Sequence, residues 1–213
     1  MLSAPKKAEI DEHTIKLIVG VLATSLGGLT SLFSASSITS ISASYYEGGT
    51  AQAIFVGFLF AEAALLMAYN GLTRTEMILS KIAALAALLV ALFPCGCGGH
   101  PQILPYVHGV AAAIMFVILA FFCYGFCLRA KAKDYAQAKA RAVIYAGCGV
   151  AIVLSILVLA ADHLSGGRLS ASLPRLTFYG ERTALIAFGI SWLTASRVIP
   201  VITRPDERFA PLS

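Results

Sequence analysis

At 213 residues, 58 % apolar and only 13 % charged, with a mean hydropathy of +0.81, the chain is far from the soluble balance of about 25 % charged residues. Its net charge of +5 is not gathered into a basic patch interleaved with exposed aromatics, which argues against a nucleic-acid partner. No phosphate-binding Gly loop is present, which argues against a nucleotide.

A membrane span needs about 20 apolar residues, and six such stretches occupy the chain as one transmembrane domain, 1–213, without room for a separate extramembrane domain. The segment before the first stretch is polar and carries Lys6, Lys7, Glu9, Asp11 and Glu12; the first stretch itself is long enough to span and reads as an uncleaved anchor. This first span covers about 15–33 and runs into the Ser-rich stretch Ser34 to Ser44. The second, about 51–69, closes on the turn signal Asn70-Gly71. The third, about 75–93, stops at Pro94 and the run Cys95-Gly96-Cys97-Gly98-Gly99. Pro105 opens the fourth, about 105–128, at a position that suits a helix N-terminus. The fifth covers about 142–161, and the longest internal loop, Asp162 to Arg182, separates it from the sixth, about 183–199. The expected fold is an all-α bundle of six transmembrane helices.

Charge alternates across these spans. Lys6, Lys7, Lys16, Arg74, Lys81, Arg129, Lys131, Lys133, Lys139, Arg141, Arg197, Arg204 and Arg208 fall on one side, against Arg168, Arg175 and Arg182 on the other. The positive-inside rule then predicts both termini in the cytoplasm of a bacterium, with the chain in its inner membrane. Small residues recur where helices are expected to touch: Gly20, Ala23, Gly27 and Gly28, then Gly109 and Ala112, then Gly147 and Gly149. Tyr45, Tyr46, Tyr106 and Tyr179 on one side, with Tyr69 and Tyr124 on the other, read as interfacial belts.

Chemistry-bearing residues collect on the side poor in Lys and Arg. Tyr45, Tyr46, His100, His108, Asp162 and His163 are the expected lining of a pocket open to the periplasm. His108, Asp162 and His163 are also the candidate metal ligands, with Cys95, Cys97 and His100 nearby, since imidazole, thiolate and carboxylate suit zinc or copper. The spacing Cys-x-Cys-x-x-His leaves a disulfide, or plain loop cysteines, as open alternatives. Cys123, Cys127 and Cys148 lie within spans and read as small hydrophobes. Glu62 lies ~12 Å from the basic end of the second span and Lys81 ~9 Å up the third, at 1.5 Å per residue. They are predicted to meet in an internal ion pair, an intramembrane ionisable site of functional interest.

Ser40-Ile41-Ser42-Ala43-Ser44-Tyr45-Tyr46, Ile54-Phe55-Val56-Gly57, Tyr69-Asn70-Gly71, Ala91-Leu92-Phe93-Pro94 and Tyr106-Val107-His108 resemble landmarks of small bacterial six-span membrane proteins, more distantly of the Frag1/DRAM/Sfk1 type. The resemblance covers about the first 130 residues and implies that Ser40, Ser42, Tyr45, Tyr46, Pro94 and His108 are family landmarks. The late His-x-x-x-His pair of intramembrane metal hydrolases is absent, since no His follows His163. The function expected is a non-enzymatic one: binding of a small molecule or lipid, transport assistance, or service in a larger membrane complex or homo-oligomer within the lipid bilayer. The competing expectation is a metal- or haem-dependent membrane enzyme built on the His/Asp/Cys cluster. The residues single out no particular cofactor.

Overall fold

The computed structural model of the chain describes residues 11–210, so the expected roles of Lys6, Lys7 and Glu9 fall outside the described residues. Among these the chain is all-helical. Six long helices, α1 (Glu12–Phe33), α2 (Gly49–Ala68), α3 (Arg74–Leu92), α4 (Val107–Lys131), α5 (Ala136–Leu164) and α7 (Leu176–Ala195), are joined by short connections. One of these connections holds the five-residue α6 (Arg168–Ser172). Local chemistry sets several of the ends. The Asp11 carboxylate accepts from the Thr14 N–H at 3.2 Å and starts α1. The Thr73 hydroxyl accepts from the Glu76 N–H at 3.1 Å and starts α3.

Five of the long helices, α1 to α5, are long and apolar enough to cross a membrane, and the protein is a multi-pass membrane-type bundle. The sixth, α7, has the length but falls outside that set, with Glu181 and Arg182 in its first turns. It begins about seven residues earlier than expected, straight after Pro174 and Arg175. Charge is the reason for the mismatch: Glu181 reads as loop, yet its carboxylate is bonded to a neighbouring segment and stays helical. Likewise α5 starts at Ala136 rather than near 142, so Lys139 and Arg141 of the basic connection are helical.

Each long helix packs on its neighbours in the chain, and the last returns to the first, so α1, α2, α3, α4, α5 and α7 form a closed ring. The closing contact is made by bare backbone. A Cβ on Gly20 of α1 would lie 2.9 Å from the Leu193 nitrogen and 3.0 Å from the Gly189 oxygen; one on Gly189 would lie 2.7 Å from the Gly20 oxygen. Inside the ring Tyr69, Phe122, Phe126, Phe188 and Trp192 pack edge-on and tilted around the fully buried indole, with centroids 5.0–6.4 Å apart. These rings mark the basic end of the bundle.

That end is closed by ion pairs and by the C-terminal segment. Glu76 pairs with Arg129 across α3 and α4. Beyond α7 the chain doubles back: the Phe209 N–H donates to the Arg197 oxygen at 3.2 Å, and the Phe209 ring stacks on His13 at 5.5 Å. Glu207 sits between four donors, accepting from Lys133 (2.5 Å), Tyr135 (2.6 Å), Arg141 (3.1 Å) and Arg197 (3.2 Å). Arg141, 0 % exposed, also donates to the Ile202 oxygen at 2.6 Å.

Candidate functional site

The opposite end is organised by the connection between α1 and α2. Its Ser-rich composition predicts a solvated loop, but Ile38 and Ile41 are drawn into the core and take Ser40, Ser42 and Ser44 with them. Glu47 staples the two limbs, its carboxylate accepting from the Ser36 hydroxyl at 2.6 Å and from the Ala35 and Ser36 N–H groups at 2.9 and 3.2 Å. The Ser36 hydroxyl holds the Glu47 carboxyl below its ordinary range. The loop is then tied to the start of α7: Phe178 N–H donates to the Thr39 oxygen at 2.9 Å, and Arg175 Nε to the Ile38 oxygen at 3.2 Å.

This docking places Ser42 between two titratable side chains. His108 Nδ1 lies 2.8 Å from the Phe93 carbonyl, which only accepts, so Nδ1 carries a proton. In the neutral ring Nε2 is therefore an acceptor, and the Ser42 hydroxyl donates to it at 3.0 Å. On the other side Glu181 Oε2 accepts from the Ile41 N–H at 2.6 Å, while Oε1 stands 3.5 Å from the Ser42 hydroxyl. One hydroxyl proton serves one of these acceptors, and the shorter distance assigns it to His108. Ser42 and His108 are 6 % and 7 % exposed, so this chain of groups links α3, α4, α7 and the first connection inside the protein.

Beside it, α4, α5 and α7 leave a cavity of about 760 Å³, within the range of small-molecule sites. Its walls are apolar side chains of α4 and α5, Val110, Phe116, Ile156 and Leu159 among them, and its rim carries Gln102, Asp162, His163, Thr177 and Glu181. Asp162 holds its own position by capping α6, its Oδ1 accepting from the Leu169 and Ser170 N–H groups at 2.9 and 3.0 Å.

Of the six side chains expected to line one pocket, Asp162 and His163 are on this cavity wall. Tyr46 and His100 instead stack on each other at 3.9 Å, and the Tyr46 hydroxyl donates to the Cys95 oxygen at 2.6 Å. Tyr45 packs against the core. The expected metal ligands His108, Asp162 and His163 do not converge. His108 is turned toward Ser42 and Phe93, Asp162 faces the α6 N–H groups, and no three His, Cys, Asp or Glu among the described residues are set to share a metal. Cys95 and Cys97 are joined to each other as a disulfide, an alternative left open by their spacing.

The expected Glu62–Lys81 pair does not form. The Lys81 ammonium donates to the Met67 and Tyr69 carbonyls at 2.5 and 2.8 Å and to the Asn70 side chain at 3.1 Å, capping the end of α2. Free C-terminal carbonyls of a helix attract a cation more cheaply than a buried carboxylate does. Glu62, 3 % exposed, keeps Oε1 without a partner. A buried polar group without a partner is costly, so Glu62→Met should raise the thermal melting point, by about 1 kcal/mol of stability. A lower melting point for the Met variant in the same detergent would show that this carboxyl has a required partner.

Glu181 escapes a sequence reading because a charge beside Arg182 looks like the edge of a span, and Gln102, Ser155 and Thr177 carry no local signal. Glu181 alone was detectable, as a carboxylate close to an apolar run on the side poor in Lys and Arg. No protein-family model, curated protein or solved structure matches this chain, and what the site does is argued from its geometry.

Proposed function

We propose that this is a multi-pass protein of a bacterial inner membrane, both termini cytoplasmic, that binds an amphipathic small molecule or lipid in the α4/α5/α7 cavity at its periplasmic end. The cavity carries the reading: about 760 Å³ with apolar walls and a polar rim is the form of a ligand site, at the level where lipid headgroups meet water. Two further features support the orientation. Basic side chains gather at the end assigned to the cytoplasm, where anionic lipid attracts them. The Cys95–Cys97 disulfide is at the other end, as an oxidising compartment would favour.

Binding or transport assistance is favoured over catalysis. The arrangement most like a nucleophile with its base, Ser42 beside His108, is buried and lies off the cavity wall. The six-span resemblance, a larger membrane complex and a homo-oligomer are all compatible with this role.

Gly109 gives the test, since it lines the cavity and a Cβ there meets nothing within 4 Å. Gly109→Trp should fill the space without unfolding the bundle. Mass spectrometry of the purified, delipidated protein should then find a retained amphiphile on the native chain and little on the variant, at similar melting temperatures. Equal retention by both, or none by the native chain, would overturn the reading.

A further inference from the structure

Two properties of the cavity wall say what kind of head group it takes. The first is charge. Asp162 and Glu181 are on the wall, and no Lys or Arg is. The basic residues nearby are committed elsewhere or turned out: Arg175 lies 4.3 Å from the Phe178 ring and donates to the Ile38 oxygen, Arg182 lies 6.0 Å from the same ring, and Arg168 is exposed on α6. His163 and Tyr106 are the remaining titratable groups on the wall. Each carboxylate has about four lone-pair sites, and backbone N–H groups occupy only some of them.

The second property is an orphan. Ser155 of α5 is only 8 % exposed and lines the cavity, yet its hydroxyl has no hydrogen-bond partner among the described residues. Helical serines ordinarily return their proton to a carbonyl one turn back, as Ser25 and Ser34 do here. Ser155 and Asp162 are on one helix, about 10 Å apart along its axis at 1.5 Å per residue. The wall therefore offers carboxylates at the rim and one free hydroxyl deeper in, among apolar side chains.

We propose that the cavity takes an amphiphile with an ammonium head: Glu181 and Asp162 face the cation, the chain lies along α4 and α5, and Ser155 donates to an oxygen farther down the molecule. This rests on the reading that the cavity binds an amphiphile. An ethanolamine phospholipid and a free long-chain amine share this chemistry.

The test uses diazirine-bearing dodecylamine and dodecanol, photolysed with the full-length protein in phosphatidylglycerol nanodiscs at pH 7. Labelling of α4 and α5 peptides is read by mass spectrometry. The amine should label the cavity about tenfold more than the alcohol, the worth of one charge-assisted contact. Glu181→Gln should bring the amine down to the level of the alcohol while the alcohol itself is unchanged. Displacement of the amine by phosphatidylethanolamine would support a membrane lipid as its source, and failure of that displacement a free amine. Equal labelling of the native protein by both probes would overturn the ammonium head and leave the cavity reading standing. Absence of labelling by either would overturn both.

Discussion

Gly189→Val should break the bundle where its first and last helices meet. A Cβ at Gly189 falls 2.5 Å from Thr24 Cγ2, 2.7 Å from the Gly20 oxygen and 2.9 Å from the Thr24 nitrogen. Two of these three atoms are backbone, so no rotamer change relieves the clash and α1 or α7 has to move. Overpacking of this kind costs about 3 kcal/mol or more, and the variant should melt many degrees lower and elute as aggregate. Gly28→Val is the control: it is on the same α1, but its Cβ meets nothing within 4 Å, so it should melt like the native protein. Native-like melting of Gly189→Val would show that the ring does not close through this contact.

Glu207→Gln should loosen the basic end of the bundle and remove one acid-sensitive component of stability. Arg141 is 0 % exposed, and Glu207 is the carboxylate that faces it. A buried guanidinium deprived of its anion costs about 3 kcal/mol. Burial alone would raise the Glu207 pKa. Hydrogen bonds from Lys133 and Tyr135, with the charges of Arg197 and Lys133, outweigh it and bring the pKa from 4.5 down to about 2. A carboxyl depressed in the folded state stabilises fully above its ordinary pKa and loses that contribution as pH falls toward the folded value. The gap in melting temperature between native and Glu207→Gln should therefore be constant above about pH 5. It should then shrink between 4.5 and 2. A gap that persists unchanged to the acid end of that window would rule out Glu207 as the group responsible.

Which end of the bundle a residue lies at was legible in the sequence, and direction around each helix was not. Charge is excluded from hydrocarbon whatever the packing, and most of the basic residues do gather at one end, but α5 and α7 begin about six and seven residues earlier than the charge pattern predicts. The same reasoning paired Glu62 with Lys81 from their heights along adjacent spans alone. Yet α2 turns Glu62 inward, while Lys81 reaches the end of that helix instead. A few residues of register decide such azimuths, and the apolar composition of helices surrounded by lipid leaves little periodicity to fix them.

The site divides along the same line. His108, Asp162 and His163 were placed at the right end, but which neighbour each faces depends on how the first connection folds inward on Ile38 and Ile41. Ser42 stood out only as a family landmark, and its position between His108 and Glu181 is a product of that fold. Gly20 was legible as a contact residue among several small ones. Gly189, its partner, was not singled out, although it lies among other small residues of α7, Ala184, Ala187 and Ser191.

The polarity of α7 has a consequence for how the bundle is assembled. Helices α1 to α5 each have the length and apolarity to cross a membrane, and α7, with Glu181 and Arg182 in its first turns, falls outside that set. The two helices it packs on most closely, α1 and α5, both precede it in the chain. Its place in the bundle therefore rests on protein contact more than on apolarity, with Gly189 seated on Gly20 and the Glu181 carboxylate received by the Ile41 N–H. Without α7 the other five long helices would form a ring open on one side, between α1 and α5.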